Sequence, residues 1–571
     1  MKKTNAPKDI FVNRNLDHYM VQYQGDIEAE ISKVPGYYVT IINDKYAIVS
    51  VPKNVEINID RPYIKSIVYV MPADMLTLQE ISPVQATQVD FLQQQLPLNL
   101  TGEGVDVAIV DSGIDYLSDE FMNENGETRI QCIWDQSILA EPQEDEIYVS
   151  FGAIYRKPSI DQAIKAGTQG KSPYDIVPTR DTIGHGTNMA GIIGAAGKNP
   201  MLKGMVPKCD FVAVKLIEDY SYEAQFNIKI PIFNVTSIFA ALEFLFEYAL
   251  TSKKPMVIYL PLGSSLGNHK GNGILEEFIE QIAGTSGILV VSGAGNERDT
   301  GGHTSGIITE PNAVTAMELQ ASPEQKYLWI DVWIDLPNIM TIDIVSPSGE
   351  SSGVFPIVIN EVKTHTFIFE QTSLKINYYF PEENTGDELI RIRFYNLQPG
   401  IWILRLHANY ILNGVYNAWL PQRGITVGNT KFSASDPYGT LTNPGNSVYV
   451  ITAAAYNQNN NNVLDYSGMS FRERFIGRVD VAAGGVNALT VAPNNTTAVV
   501  NGTSVSAAVV AGACVMLFQW GMVQGNNRNM YSQTVKAYLC RATVKRIGDI
   551  YPNARWGYGI LNVLQMFESM I

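Results

Sequence analysis

Three glycine-bearing strings, far apart in the chain, each lie against an apolar run: Val110-Asp111-Ser112-Gly113-Ile114, Gly184-His185-Gly186-Thr187 and Asn501-Gly502-Thr503-Ser504. Each pairs a reactive side chain with a turn, and each run continues as strand or helix. A fold that satisfies all three must bring strand ends and helix starts to one edge. Residues 105–110 read as a buried strand ending on Asp111, and the small apolar residues after His185 read as a helix. The run after Ser504 also reads as a helix, with the serine at its N-terminal end. Elsewhere in the same region, Phe211 to Leu216, Val257-Ile258-Tyr259-Leu260 and Ile288-Leu289-Val290-Val291 are continuous apolar runs, the pattern of parallel strands buried on both faces. Helical patterns over 238–249 and 274–283 alternate with them. The expected class is therefore α/β, a doubly wound parallel sheet.

Two stretches depart from that texture. Over the first 80 or so residues, His18 to Tyr23, Tyr46 to Val51 and Ile67 to Val70 read as strands of a small α+β unit, followed by the turn Thr101-Gly102-Glu103-Gly104. From about 321 to 420, apolar and polar residues alternate with period two, as in Leu328-Trp329-Ile330-Asp331-Val332-Trp333-Ile334-Asp335 and Trp402-Ile403-Leu404-Arg405-Leu406, and Pro-Gly turns punctuate the runs. That alternation predicts an inserted β-sandwich. The expected division is 1–79, 80–310, the insert at 311–434, and 435–571.

The bulk properties exclude several classes. A chain of 571 residues with 41 Lys plus Arg against 57 Asp plus Glu has a formal charge of −16, unsuited to nucleic acid or an anionic membrane surface. The four cysteines, Cys132, Cys209, Cys514 and Cys540, are scattered and lack metal or redox spacing. No run of about 18 apolar residues predicts a membrane span. Residues 1–17 contain no apolar h-region, so no secretory signal peptide is expected and a cytoplasmic location is.

The chemistry follows from the reactive residues. A serine hydroxyl needs an adjacent base, and imidazole, with a pKa near 6.5, suits that task. Of six histidines only His185 stands in a glycine-flanked string. A carboxylate, here Asp111, then fixes the ring tautomer and stabilises the imidazolium. Backbone N–H groups at the start of the Ser504 helix can stabilise an oxyanion.

The chain order Asp111, His185, Ser504 is similar to that of the subtilisin-like serine proteases (peptidase family S8), and the supporting residues extend the likeness. Ser292-Gly293-Ala294-Gly295-Asn296-Glu297 resembles the loop that supplies an asparagine oxyanion donor. Val206-Pro207 and Trp556-Gly557-Tyr558-Gly559-Ile560-Leu561-Asn562 resemble further family features. The resemblance implies a subtilisin-like sheet, catalytic Asp111, His185 and Ser504, and an oxyanion hole of Asn296 and Ser504. It also implies a substrate-pairing segment at Pro261, Leu262 and Gly263. Residues 1–79 would be a prodomain that chaperones folding, is cut between Gln79 and Glu80, and lies in the active-site groove. Two departures from the family pattern stand out. Val505-Ser506-Ala507-Ala508-Val509 replaces a Met-Ala-Ser-Pro-His string, and Pro261 lacks an N–H but keeps its carbonyl.

The insert lies between the asparagine and serine strings, and with the expected lack of a signal it resembles one subgroup. These are the clostridial germination-specific (Csp-type) subtilases, which carry a jelly-roll insert. That likeness implies self-processing, a retained propeptide, a protein proform as substrate, and a spore-associated setting in germination. Two alternatives are a catalytically silent sensor or scaffold and a broad-specificity intracellular peptidase. The chemistry requires no cofactor and no metal. A structural calcium is possible but not recognisable, since the acidic run Glu141-Pro142-Gln143-Glu144-Asp145-Glu146 lacks ligand spacing and reads more readily as a solvated loop.

Overall fold

The computed structural model describes all residues except 1–5, 8–9, 11–12, 14, 56, 58–63, 71–81, 95–97, 140–146, 359–360, 473–477 and 571. Gln79, Glu80 and the acidic run from Glu141 thus lie outside the described residues. The chain divides into two compact units, Met1–Glu80 and Ile81–Ile571.

The smaller unit is a four-stranded antiparallel sheet ordered Tyr38–Ile41, Tyr46–Pro52, Leu16–Tyr23, Ile67–Val70, with a short helix Ile27–Ile31. Asp26 caps that helix by accepting from the Ala29 N–H at 3.0 Å. Val21, Ile27, Ile31, Val39, Ala47 and Val49 close its core.

The larger unit is built on an eleven-stranded sheet. Its centre runs Val481–Gly484, Val450–Asn457, Ile288–Gly293, Met256–Tyr259, Asp106–Asp111, Asp210–Lys215, Ile130–Asp135, and each adjacent pair is parallel. Alternation sorts the buried strand residues between two cores. Val107, Ile109, Phe211 and Ala213 join the helices His185–Gly194 and Thr503–Phe518 on one face. Ala108, Val110, Val212 and Val214 join Val235–Ser252 and Ile274–Ala283 on the other. Doubly wound burial explains why these strands read as unbroken apolar runs. The sequence expectation of no span-length apolar segment needs qualification. Both Val235–Ser252 and Thr503–Val523 are long and apolar enough to cross a membrane. Val505 to Phe518, however, is buried in the core of this unit.

The insert comprises a six-stranded and a four-stranded antiparallel sheet around one apolar core that includes Ile330, Ile342, Ile392, Trp402 and Leu404. It begins earlier than the expected boundary at 311. The strand His303–Ile307 already pairs with Val415–Trp419, and its short, mixed pattern hid it from periodicity. Nor is the insert a compact unit of its own, since it belongs with Ile81–Ile571. Trp419, 2% exposed, stacks between His303 and His269, and Lys270 pairs with Asp335 and Asp387 of the insert.

Candidate active site

Asp111 ends the central Asp106–Asp111 strand and is 3% exposed. His185 is the first residue of its helix, and Gly184, at φ +86°, turns the chain into it. The two elements approach so closely that a Cβ on Gly186 would lie 2.1 Å from the Gly113 carbonyl oxygen. This contact lets His185 Nδ1 donate to Asp111 Oδ2 at 2.7 Å. Because a carboxylate only accepts, the proton on Nδ1 leaves Nε2 as the basic nitrogen.

Burial disfavours the charged ring, but the Asp111 charge and hydrogen bond, aided by the Asp181 charge, outweigh it and raise the His185 pKa above 6.5. The ring stays accessible, with its side chain 39% exposed.

Asp181, which sequence reading passed over, organises this half of the site. Its Oδ1 accepts from the Gly184 N–H at 2.7 Å and from Ser112 Oγ at 2.9 Å. Its Oδ2 accepts from the Thr187 N–H at 2.9 Å and Thr187 Oγ1 at 2.6 Å. A buried carboxylate thus ties the strand-end turn to the otherwise unpaired N–H groups of the histidine helix. Its signal in the sequence is an aspartate three residues before the helix-starting glycine.

Ser504 is the second residue of the helix Thr503–Phe518, behind Gly502 at φ +135°. It is half-buried, and the buried hydroxyl of Tyr259 donates to its carbonyl at 2.8 Å. Tyr259 belongs to the strand beside the aspartate strand, paired through Ile109. Burial first, then the Asp111 charge, push its pKa well above 10, so it remains a neutral donor. No hydrogen bond joins Ser504 Oγ to His185 among the described residues.

Asn296 lies just past the strand Ile288–Gly293. Its Oδ1 accepts from the Thr503 N–H at 3.2 Å and Thr503 Oγ1 at 3.1 Å. That fixes the amide with Nδ2 unpaired among the described residues, as is the Ser504 N–H. A cleft of about 180 Å3 is lined by Pro261, Leu262, Gly263, Asn296, Glu297 and Ser504, together with Gln422 of the insert and Thr442. Neither the Pro261 carbonyl nor the Gly263 N–H has a partner among the described residues, so both are free to pair an extended peptide. Glu297 is held toward its neutral form, burial outweighing the Arg423 N–H bond and charge. The contribution of Gln422 was invisible in the sequence because it comes from 160 residues further along the chain, at the insert's exit.

The structure therefore brings Asp111 to His185, and Asn296, Ser504 and 261–263 into one cleft. Among the described residues no group of three or more His, Cys, Asp or Glu is arranged to hold a metal ion.

The profile of the Subtilase family matches residues 102–351 and 425–559, its gap falling within the sandwich. The CspB protease of Clostridium perfringens has a similar structure, with TM-score 0.75 and 26% identity over 85% of this chain and 98% of that one. Sphericase aligns with TM-score 0.42 and 14% identity, over 83% and 97% of the two chains. The epidermin leader peptide processing serine protease of Staphylococcus aureus gives 0.41 and 13%, over 97% and 99%. Comparison with curated proteins finds no match. The chain belongs to the subtilase family and is a subtilisin-like serine endopeptidase, similar in structure to a Csp protease.

Proposed function

We propose that Asp111, His185 and Ser504 form the catalytic triad, and that the enzyme first cuts its own chain after Gln79. The observation that carries this reading is the 2.7 Å bond from His185 Nδ1 to Asp111 Oδ2. With Nδ1 committed, Nε2 removes the Ser504 proton as Oγ attacks the scissile carbonyl carbon. The oxygen that becomes negative is held by Asn296 Nδ2 and the Ser504 N–H. As the intermediate collapses, the leaving amine takes the proton from Nε2, and a water repeats the sequence on the acyl-enzyme. The substrate backbone pairs with the Pro261 carbonyl and Gly263 N–H.

Residues 1–79, all but the last residue of the unit Met1–Glu80, are the propeptide in this reading, ending in Leu76-Thr77-Leu78-Gln79. It stays bound in the groove after the cut. The later substrate is a protein proform, and the likeness to a Csp-type protease supports a setting in spore germination, in the cytoplasm or on the spore. No cofactor takes part, and no calcium is needed for the chemistry.

Intact mass and N-terminal sequencing of wild type beside Ser504→Ala test the reading. The expected result is a wild-type break after Gln79 that is lost in the variant. An unbroken wild-type chain would count against self-processing.

A further inference from the structure

We infer that the outer face of the six-stranded insert sheet is a docking surface for an acidic stretch of the protein substrate, held by Lys375 and Arg393 away from the scissile bond. This rests on the reading of Ser504 as nucleophile and of a protein proform as substrate.

Alternation turns one set of side chains of the strands Tyr327–Ile334, Ser373–Tyr379 and Glu388–Tyr395 away from the sandwich core. On that outer side Thr364, Lys375, Arg393 and Trp329 stand in one cross-strand row, and Asn377, Arg391 and Asp331 in the next. Lys375 and Arg393 are thus direct neighbours of like charge, an arrangement that costs stability. Neither forms an ion pair among the described residues. The buried Asp331 is committed to Arg391 by two bonds of 2.7 Å. Arg393 donates instead to the Asn377 amide oxygen at 3.0 Å, and Lys375 lies over the Tyr395 ring at 5.1 Å. In a chain of net charge −16 carboxylates are plentiful, so two adjacent cations without one mark a place for an outside anion.

Two features point to acidic peptide rather than nucleic acid. Each ring of the face already meets a ring or a cation. Trp329 packs against Tyr222 and Phe226 at 5.7 and 5.1 Å, Tyr395 carries Lys375, and the Arg391 guanidinium sits 5.9 Å from the Tyr379 ring centre. That leaves little free aromatic surface on which bases could stack. The face also adjoins the protease cleft. Burial raises the Tyr222 pKa, and the Arg393 and Arg391 charges are the largest influences opposing it, which places both cations beside that ring. Tyr222 in turn lines the space that opens beside Leu262 and Gly263. A protein paired through its backbone along 261–263 therefore has the two cations within reach of its neighbouring segments.

Anisotropy of a fluorescein-labelled oligoglutamate peptide is measured with full-length wild type, with Lys375→Gln plus Arg393→Gln, and with the charge-keeping pair Lys375→Arg plus Arg393→Lys. The neutral pair should weaken binding by about fivefold or more, and the charge-keeping pair by less than about twofold. Wild-type binding should fade between about 0.05 and 0.5 M salt. Hydrolysis then links the face to the cleft. Fluorogenic Leu-Thr-Leu-Gln joined by a flexible Gly-Ser linker to an oligoglutamate tract should be cut with a kcat/KM about fivefold or more above that of its oligoglutamine counterpart. The neutral pair should erase this ratio, which is independent of the folded fraction. Three results overturn the inference: a wild-type ratio near one, binding that the neutral pair leaves unchanged, or tighter binding of a single-stranded oligonucleotide of equal charge. If no peptide is hydrolysed, anisotropy alone decides the face, and failure of a fluorophosphonate to label Ser504 sinks the catalytic reading separately.

Discussion

The parallel sheet and the inserted sandwich bury apolar residues in opposite ways, and the difference decides where each can act. In the sheet, Asp106–Asp111 and Ile288–Gly293 are buried at every position, so both faces are spent on packing. Chemistry is then left to the strand ends and helix starts, where Asp111, Asn296, His185 and Ser504 stand. In the sandwich, the long strand Gly400–Tyr410 alternates, with Trp402, Leu404 and Leu406 inward. Its outer face carries ion pairs such as that of Arg405 with Asp343, while Arg391 meets Asp331 with two bonds of 2.7 Å on the neighbouring sheet. Each pair sets a buried aspartate against a partly exposed arginine, so removing the arginine would leave a buried carboxylate short of its partner. The insert thus reaches the Ser504 cleft through Gln422 at its exit rather than through its faces.

If insert and sheet are one cooperative body, damage at their junction should be felt by both. Trp419→Ala removes a buried ring stacked at 4.1 Å on His269 and 4.6 Å on His303. We expect a loss of about 3–5 kcal/mol, with insert fluorescence and Ser504 labelling lost at the same lowered urea midpoint. An unchanged midpoint for labelling would show that the two parts unfold separately. The junction also has a pH signature. Burial pushes the His269 pKa down to about 4, whereas the unfolded ring titrates near 6.5. Its folded pKa is depressed, so its contribution is fully present above pH 6.5 and falls as pH drops from there toward 4.

Just past a strand end of the sheet, Asn296 sharpens the contrast between catalysis and packing. The side chain is exposed, and its bonds are to Thr503. Asn296→Ala should cost about 10²–10³ in kcat, with KM nearly unchanged, because Nδ2 meets the oxygen only as charge develops. The stability loss should stay near 1 kcal/mol. A variant with full kcat would remove Asn296 from the oxyanion hole.

The sheet and its motif residues were legible because each string combines a reactive side chain with a backbone constraint. A glycine turn beside a continuous apolar run permits few placements, and the helix over Ile274–Ala283 falls where the periodicity put it. The sandwich core was legible from alternation, but its first strand was not. His303–Ile307 is held by pairing with Val415–Trp419, more than a hundred residues away, and local pattern carries no trace of such a partner. Gln422 was missed for the same reason, as a loop residue whose place in the cleft depends on where the chain returns. Asp181 differs from these, since its partners Gly184 and Thr187 lie within six residues. It was overlooked because an aspartate before a helix looks like an ordinary cap.

Asp181 also supports the smallest effect, one that separates charge from position. The pKa of His185 is set upward against burial by Asp111 first and by Asp181 after it. A ring whose folded pKa is raised stabilises the fold most below its unfolded value near 6.5, and that contribution is lost as pH rises through the folded value. Catalysis runs the other way, because Nε2 must be unprotonated, so the acid limb of kcat/KM should lie above 6.5. Asp181→Asn removes the charge and keeps the shape. The limb should move to lower pH by less than about one unit, since a single pKa unit already corresponds to 1.36 kcal/mol. The plateau should also fall by about tenfold, because an amide placed between the Gly184 and Thr187 N–H groups cannot accept from all its present donors. Thr187→Val keeps the carboxylate and deletes only the hydroxyl bonded to Asp181 and to the Asp115 N–H. It should lower the plateau and leave the limb in place. A limb that moves equally in both variants would mean that Asp181 acts on His185 through position alone.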